Sequence, residues 1–194
     1  MELLSINKPI PESLVESVIL KSDGSNIRFG DILNNEPVLL IFVRHFGCIG
    51  CTMQMNSIGP RLKEIGSLGI RTVVVGNGDF NYIDGFIERH LLKNKPIEIY
   101  TDPTLNIYNN AELKRSLLTV LGPRTWYEFV MAWSKGVGQK TVEGDNAQMG
   151  GAMLIGDDLK LSYYYRNKSV ANHSDPNEII DAIYKYIGSK KQIV

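Results

Sequence analysis

Continuous apolar runs alternate with amphipathic segments over most of the chain. The run at 37–43 is apolar and β-prone throughout, the pattern of a strand buried on both faces, and the stretches 70–78 and 96–103 predict a second and a third strand. After the first run, hydrophobic residues recur at steps of four, three, four and three, which predicts one buried face of a helix. These residues are Cys51, Met55, Ile58, Leu62 and Ile65. Gly59-Pro60 lies within this pattern and predicts a kink that does not end the helix.

The remaining segments complete a mixed α/β pattern. The stretch 17–33 predicts a small N-terminal hairpin that turns at Asp23-Gly24, and 82–92 predicts a second helix. A broken helical stretch at 105–136 and a Gly-rich loop at 136–151 precede a second hairpin with its turn at 156–158. The last helix has Asp175 as N-cap, Pro176 at its first position and Glu178 three residues after the cap. Parallel strands joined by helices, followed by an antiparallel hairpin and a closing helix, predict an α/β fold with a mixed central sheet.

Composition narrows the classes of protein to which the chain belongs. Its 194 residues, 43% of them hydrophobic, suffice for one domain with a packed core, and we expect a single domain over 1–194. With 21 basic and 21 acidic residues, the chain carries no general charge that would favour nucleic acid or an anionic membrane. We see no signal peptide and no apolar run long enough to span a bilayer, so we expect a soluble, cytoplasmic protein.

The two cysteines of the chain, Cys48 and Cys51, lie three residues apart where the first buried strand leads into a helix. A helix N-terminus favours an anion, so the pKa of Cys48 should be lowered there, and Arg44 and His45 add potential positive charge. Cys51 lies one turn later on the buried face and should be shielded. We therefore predict that Cys48 attacks a substrate and that Cys51 resolves the product as an internal disulfide. Gly47 and Gly50 should leave the attacking sulfur approachable.

Two alternative roles for the cysteine pair stay open. The cysteines could act only as small buried hydrophobic residues, although that role would not require this spacing at a strand-to-helix junction. They could also form a metal site with His45 and His173, although a second ligand pair with zinc-finger spacing is absent from the sequence. A short "GNG" stretch after the second strand lacks the third glycine of a dinucleotide loop, so nucleotide binding is not expected there.

Several stretches together resemble a known family. "FVRHFGCIGC", "GGAMLI", "YYYRN" and "NHSDPNEIIDAI" are similar to the AhpC/TSA-related, peroxiredoxin-like proteins that carry a CxxC motif. The resemblance covers a core of about 14–187. It implies a thioredoxin-like fold with an N-terminal hairpin and a helical insertion, redox roles for Cys48 and Cys51, and a catalytic role for Arg44. Arg166 and His173 match the basic and His positions late in the family's pattern.

The sequence also departs from that pattern. Peroxiredoxins carry a Pro-x-x-x-Thr/Ser-x-x-Cys signature, but here Ile41 and His45 occupy the Pro and Thr/Ser positions. Gly150 and Gly151 stand near the places where a peroxiredoxin has an arginine and a thioredoxin has a cis-proline. His45 could position a substrate or tune Cys48, or it could be a partly buried structural residue. Arg166 could reach the site from the second hairpin or face solvent, and His173, just before a capped helix, could support the site or be structural.

These observations favour a thiol-dependent oxidoreductase that reduces a peroxide, an endoperoxide or a disulfide. The expected partners are a small oxidised substrate and an external thiol reductant such as thioredoxin or glutathione, without a cofactor or a metal; a homodimer is left open. The first alternative is a redox-responsive binding protein that uses a helical stripe as its partner surface, and the second is the Cys/His metal-binding protein. The stripe consists of Trp126, Phe129, Val130 and Trp133.

Overall fold

The strands of the computed structural model, which describes residues 4–116, 143–170 and 172–191, form one mixed sheet. They are β1 (Val18–Leu20), β2 (Asn26–Arg28), β3 (Val38–Phe42), β4 (Arg71–Gly76), β5 (Glu98–Thr101), β6 (Gly151–Ile155) and β7 (Leu161–Arg166). Within the described residues their order across the sheet is β2-β1-β5-β4-β3-β6-β7. β3, β4 and β5 are parallel, whereas β1 and β6 run antiparallel to their inner neighbours. This arrangement is the mixed sheet that the order of elements predicts.

Helices cover both faces of the sheet. In the described part of the chain they are α1 (Glu12–Val15), α2 (Phe29–Leu33), α3 (Ile49–Ile58), α4 (Leu62–Ser67), α5 (Tyr82–Arg89), α6 (Asn106–Asn110) and α7 (Pro176–Lys191). Because successive side chains of a strand point to opposite faces, β3 contributes to two cores. Leu39 and Ile41 pack in one core with Cys48 and Cys51, while Val38 and Leu40 pack in the other. The cysteine site is thus supported by a strand buried on both faces.

Local sequence signals predicted most element boundaries well. The strand predicted at 37–43 is observed as Val38–Phe42, and every residue of the predicted helical stripe is buried. Gly59-Pro60 does more than kink the helix, because a 3-10 turn at Gly59–Arg61 separates α3 from α4. Asp175 caps the last helix as predicted, since its Oδ1 accepts a hydrogen bond of 2.8 Å from the Asn177 N–H.

Some predictions fall outside the described residues. The broken helical stretch at 105–136 is observed only as α6, and the stripe around Trp126 and Trp133 lies in the segment 117–142, outside the part described. No described helix is both long enough and apolar enough to cross a bilayer.

His90, at the end of α5, is a half-buried residue rather than the surface residue that its position beside Arg89 suggests. Its ring lies 4.5 Å from the Phe86 ring centroid, and neither ring nitrogen has a hydrogen-bond partner among the described residues. Burial, assisted by the neighbouring Arg89 charge, lowers the pKa of His90 to about 4. The ring is therefore neutral in the folded protein at neutral pH.

His90 should make stability fall as the pH drops below about 6.5, because the unfolded histidine takes up a proton there. The folded state resists that proton until the pH approaches the lowered pKa of about 4. After allowance for solvent screening of the half-buried ring, the expected loss is about 1–2 kcal/mol. His90→Phe, which keeps the contact with Phe86, should remove this part of the pH dependence. Urea denaturation of both proteins at pH 7.5, 5.5 and 4.5 gives their free energies of unfolding at each pH. If wild type and His90→Phe lost the same free energy of unfolding between pH 7.5 and 4.5, the assignment would be contradicted.

Candidate active site

Cys48 occupies the N-cap position of α3, where the loop 43–47 leads from β3 into the helix. Its backbone is extended, and its carbonyl accepts a hydrogen bond of 3.1 Å from the Thr52 N–H. The sulfur therefore lies at the end of the helix where unpaired N–H groups and the macrodipole stabilise an anion. The strand-to-helix junction places Cys48 as the sequence predicts.

Arg44 contacts both cysteines. Its Nη1 donates a hydrogen bond of 3.3 Å to the Cys48 Sγ, and its backbone N–H donates one of 3.1 Å to the Cys51 Sγ. Arg44 is only 3% exposed, so the charge of its guanidinium acts in a site shielded from water. One residue thus holds both sulfurs, one through its side chain and the other through its backbone.

The pKa values of the two thiols are shifted in opposite directions. A hydrogen bond from Cys51 and then the Arg44 charge hold the pKa of Cys48 well below its ordinary value, although burial opposes this. Burial, together with the hydrogen bond to Cys48, holds the pKa of Cys51 well above its ordinary value. Because a thiolate is the nucleophilic form, this arrangement supports attack by Cys48, with Cys51 kept as a protonated thiol nearby.

His45 is a buried neighbour of Cys48, only 1% exposed. Its Nδ1 accepts a hydrogen bond of 3.4 Å from the Glu143 N–H, so the proton of the neutral ring is on Nε2. Burial lowers the pKa of His45, which keeps the ring neutral near pH 7. Positive charge beside Cys48 therefore comes from Arg44 rather than from His45. A substrate-positioning role for His45 stays a prediction.

The segment 143–148, which we call the cover, bonds to Arg44 and His45 beside the cysteines and could not be foreseen from the sequence. The Arg44 Nε donates a hydrogen bond of 3.1 Å to the Gln148 carbonyl, and Nη2 donates one to the Asn146 carbonyl. On the other side, the Asn77 amide donates to the Asp145 carbonyl at 3.1 Å and accepts from the Asp145 N–H at 3.0 Å. The cover is thus attached to the loops that follow β3 and β4.

Close packing around the cover explains why glycine recurs near the site. A Cβ on Gly78, in the "GNG" stretch, would lie 2.0 Å from the Glu143 carbonyl oxygen. Similarly, a Cβ on Gly50 would lie 2.1 Å from the Val170 carbonyl oxygen. Gly50 therefore allows another loop to pack against α3, whereas the sequence suggested that it opens the site to substrate. That expectation is wrong in this structure, because Cys48 is only 1% exposed.

Arg89 and Glu143 join α5 to the cover. The Arg89 Nη2 lies 2.8 Å from the Glu143 Oε2 and also donates a hydrogen bond of 3.1 Å to the Phe46 carbonyl, two residues before Cys48. The Glu143 side chain is 6% exposed, so the Arg89 charge offsets part of the cost of burying its carboxylate. The ion pair therefore stabilises both the cover and the loop that leads to the attacking cysteine.

Breaking this ion pair should destabilise the fold measurably. Glu143→Gln or Arg89→Met should each lower the free energy of unfolding by about 1–3 kcal/mol, because each removes one member of an ion pair whose carboxylate is buried. The double variant should lose less than the sum of the two single losses, by about 1 kcal/mol or more. The same double-mutant cycle on the exposed pair Arg28–Glu16, with side chains 48% and 50% exposed, serves as control and should give about 0.5 kcal/mol or less. Equal coupling energies for the two pairs would contradict the role assigned to Glu143.

The other two predicted site residues have partners elsewhere. Arg166, at the end of β7, forms an ion pair with Glu112 and lies over the Tyr164 ring, 4.5 Å from its centroid. The His173 Nδ1 is 3.2 Å from the Asn167 amide nitrogen. Supporting roles for Arg166 and His173 at the cysteine site stay predictions. In the described part of the chain, no group of three or more His, Cys, Asp and Glu side chains is placed to hold a metal ion.

Comparison with known proteins agrees with this geometry. Peroxiredoxin-like 2C of Homo sapiens is 22% identical, over 91% of this chain and 81% of that protein. Prostamide/prostaglandin F synthase of Salmo salar is 26% identical, over 76% of this chain and 72% of that protein. Among solved structures, peroxidoxin BcpB from Mycobacterium tuberculosis superimposes with a TM-score of 0.62 at 15% identity, covering 94% and 96% of the two chains. PrxQ of Xylella fastidiosa superimposes with a TM-score of 0.65 at 12% identity, covering 98% of this chain and 99% of that chain.

These likenesses establish the fold and the family. The solved structures are peroxiredoxins, so the sheet and helices described above are those of a thioredoxin fold. Residues 57–169, more than half of the chain, match the family described as AhpC/TSA antioxidant enzyme. That match begins after both cysteines, so it is independent of the CxxC motif. The chain therefore belongs to the AhpC/TSA antioxidant enzyme family of thiol-dependent oxidoreductases.

Proposed function

We propose that this protein reduces a peroxide by a dithiol-disulfide cycle of Cys48 and Cys51. The observation that carries the proposal is the double contact of Arg44, with the Cys48 Sγ at 3.3 Å and the Cys51 Sγ at 3.1 Å. This contact favours a thiolate on Cys48 and holds a protonated thiol one helical turn away. A nucleophile and the group that resolves its product are thus placed side by side.

The proposed cycle has three steps. The Cys48 thiolate attacks the outer peroxide oxygen, the O–O bond breaks, and the alkoxide or hydroxide that leaves takes up a proton to give an alcohol or water. The sulfur of Cys51 then attacks the Cys48 sulfenic acid, which forms the Cys48–Cys51 disulfide and releases water. Finally, two equivalents of an external thiol, or one dithiol such as reduced thioredoxin, reduce the disulfide.

The burial of Cys48 restricts which substrate can react. Because Cys48 is 1% exposed, a substrate must either be small or wait for a local opening of the chain around the sulfur. We therefore propose small peroxides as the preferred substrates, ahead of the bulkier endoperoxide and protein disulfides that the resemblance also allows. The cytoplasm, with its supply of reduced thiols, is the proposed location.

Turnover assays test this function directly. The reduced protein is given hydrogen peroxide, tert-butyl hydroperoxide or a model protein disulfide, with dithiothreitol as donor, and loss of the oxidant is followed. Catalytic turnover with the smallest peroxide, decreasing as the substrate becomes bulkier, is the expected result. Failure of both peroxides to turn over, with the protein folded and its cysteines reduced, would disprove the proposal.

One observation favours a second candidate, a redox-responsive binding protein. The Arg44 side chain donates hydrogen bonds both to the Cys48 sulfur and to a carbonyl of the cover. Oxidation of Cys48 to a disulfide removes the thiolate charge, so Arg44 loses its anionic partner while it stays bonded to the cover. A change in the cover could then alter a partner surface without catalytic turnover. This candidate predicts oxidation-dependent association or a change of oligomeric state, and identical size-exclusion profiles with and without reductant would count against it.

A further inference from the structure

Tyr108, on α6, is a fully buried tyrosine to which the proposed cycle gives no role. Its hydroxyl oxygen lies 2.6 Å from the Val43 carbonyl oxygen and 2.9 Å from the Val75 carbonyl oxygen. Val43 directly follows β3, and Val75 is the last residue but one of β4. The hydroxyl therefore bonds the backbone at the end of the sheet from which β3 continues to the cysteine site.

The Tyr108 hydroxyl keeps its proton and donates it mainly to Val43. Burial, followed by the nearby Cys51 and Asp102 groups, raises the pKa of Tyr108 well above its ordinary value. The Val75 carbonyl is farther away and already accepts a hydrogen bond of 2.9 Å from the Val43 N–H. Among the described residues, Tyr108 is the only donor to the buried Val43 carbonyl, so loss of the hydroxyl leaves that carbonyl without a partner.

The peptide unit between Val43 and Arg44 connects this hydroxyl to the site. Its carbonyl and its N–H point in opposite directions, because a peptide unit is planar and trans. Tyr108 bonds the carbonyl from the core on one face of the sheet. The N–H donates a hydrogen bond of 3.1 Å to the Cys51 Sγ, which packs in the core on the other face. A bond that fixes the carbonyl therefore also aims the N–H at the second sulfur.

Polarisation adds to this effect on position. A donor on a peptide carbonyl makes the N–H of the same unit a stronger donor, and hydrogen bonds in a shielded site strengthen one another in this way. The resulting chain of bonds joins Tyr108 to the Cys51 sulfur through the peptide unit. The Cys51 thiol is in turn hydrogen-bonded to Cys48. The effect should be largest on Cys51, because its sulfur accepts the peptide N–H directly.

Closure of the disulfide is the step in which charge on the Cys51 sulfur matters most. This sulfur attacks the Cys48 sulfenic acid, the S–S bond forms, the S–O bond breaks, and the hydroxide leaves as water with the Cys51 proton. Cys51 is oxidised and the sulfenic sulfur is reduced. Burial holds the pKa of Cys51 well above its ordinary value, so the charge that develops as the proton leaves is costly. The Arg44 N–H stabilises that charge.

We propose that Tyr108 is a positioning residue for closure of the Cys48–Cys51 disulfide. By holding the Val43 carbonyl, it aims the Arg44 N–H at the Cys51 sulfur and stabilises this sulfur as it attacks. The peroxide step is affected less, because Cys48 is one bond farther along the chain. The part that concerns closure rests on the proposed function, since it requires a sulfenic acid on Cys48, whereas the chain of hydrogen bonds does not.

Competition between closure and dimedone measures the rate of closure. The reduced protein is mixed with one equivalent of hydrogen peroxide at a fixed dimedone concentration, and mass spectrometry gives the ratio of dimedone adduct to internal disulfide. This ratio should rise about three- to tenfold in Tyr108→Phe. Phenylalanine keeps the ring, which packs edge-to-face against Phe42 with centroids 5.1 Å apart, so the variant loses only the hydroxyl. An unchanged ratio overturns the proposal.

Two controls separate this role from a general loosening of the core. Tyr164→Phe is the matched variant, because it removes a hydroxyl that bonds the Ala111 carbonyl, outside this peptide unit, and it should keep the wild-type ratio. Access to the sulfur is tested by adding Tyr108→Phe to Cys51→Ser, which should leave the rate of dimedone labelling of Cys48 unchanged. An equal rise in Tyr164→Phe, or labelling in the double variant that is faster by the whole rise, overturns the proposal.

The Arg44 amide proton gives a readout that does not depend on the cycle. In nuclear magnetic resonance spectra of the reduced, isotope-labelled protein, its chemical shift reports the strength of its bond to the Cys51 sulfur. In Tyr108→Phe this proton should move upfield and exchange with solvent faster, whereas Tyr164→Phe should leave both unchanged. If peroxide produces no Cys48–Cys51 disulfide in the wild-type protein, the proposed function fails, and this measurement alone decides whether the chain of bonds exists. An unchanged shift and exchange rate in Tyr108→Phe overturn it.

Discussion

Cys48→Ser is expected to lower kcat/KM for peroxide reduction about 1,000-fold or more, because a serine hydroxyl does not ionise near neutral pH. Cys48 is the N-cap of α3 and has the lowered pKa, so it supplies the nucleophile on which the proposed cycle depends. Peroxide consumption with excess dithiothreitol measures the effect. Serine also occurs naturally at N-caps, so the variant should fold, and its thermal unfolding provides the control.

Cys51→Ser is the matched comparison. It keeps the attacking sulfur and the Arg44 side-chain contact, so one equivalent of peroxide should still oxidise Cys48. Without Cys51, the sulfenic acid cannot close to the internal disulfide, and trapping with dimedone should detect it. If Cys48→Ser retained more than a tenth of the wild-type rate, or if only Cys51→Ser were inactive, the assignment of the two cysteines would have to be reversed.

Arg44→Met should lower the rate of peroxide reduction about 10- to 100-fold at pH 6, because loss of the adjacent charge raises the pKa of Cys48. The Arg44 Nη1 lies 3.3 Å from the Cys48 Sγ in a site that excludes water. The thiolate absorbance near 240 nm, followed against pH, reports the same change as a shift of the Cys48 titration toward higher pH. Methionine keeps much of the arginine volume, so the core beside the site stays filled.

The pH dependence separates an electrostatic role of Arg44 from a structural one. If Arg44 acts through its charge, the rate of the methionine variant should recover once the pH exceeds the raised pKa of Cys48. Arg44→Lys, which keeps the charge but loses the forked contacts with the carbonyls of Asn146 and Gln148, should fall between wild type and Arg44→Met. An equal loss of rate at every pH would show that Arg44 only holds the cover in place.

The features that sequence alone could predict depend on contacts between near neighbours. The helical period that buries Cys51, and the strand-to-helix junction that makes Cys48 an N-cap, are set within about ten residues of chain. Asp175 predicts the start of α7 for the same reason, since its side chain caps an N–H two residues later. Local signals of this kind specify element type, burial and the direction in which a thiol pKa is shifted.

The cover could not be predicted from the sequence because its contacts join distant parts of the chain. Arg44 bonds a carbonyl 104 residues later, and Arg89 bonds a carboxylate 54 residues later. A backbone carbonyl can belong to any residue type, so no sequence pattern indicates that Gln148 provides one to Arg44. The "GNG" stretch resembles part of a nucleotide loop in sequence, but in the structure Gly78 makes room for the cover.

The central claim is that Cys48 and Cys51 form one redox unit, which peroxide converts to an internal disulfide. Mass spectrometry of the reduced protein after one equivalent of hydrogen peroxide, with free thiols alkylated before digestion, tests it most directly. The account predicts a single peptide product in which Cys48 and Cys51 are joined and neither is alkylated. Both cysteines alkylated after the peroxide is consumed, or Cys48 oxidised to the sulfinic acid with Cys51 still a free thiol, would contradict it.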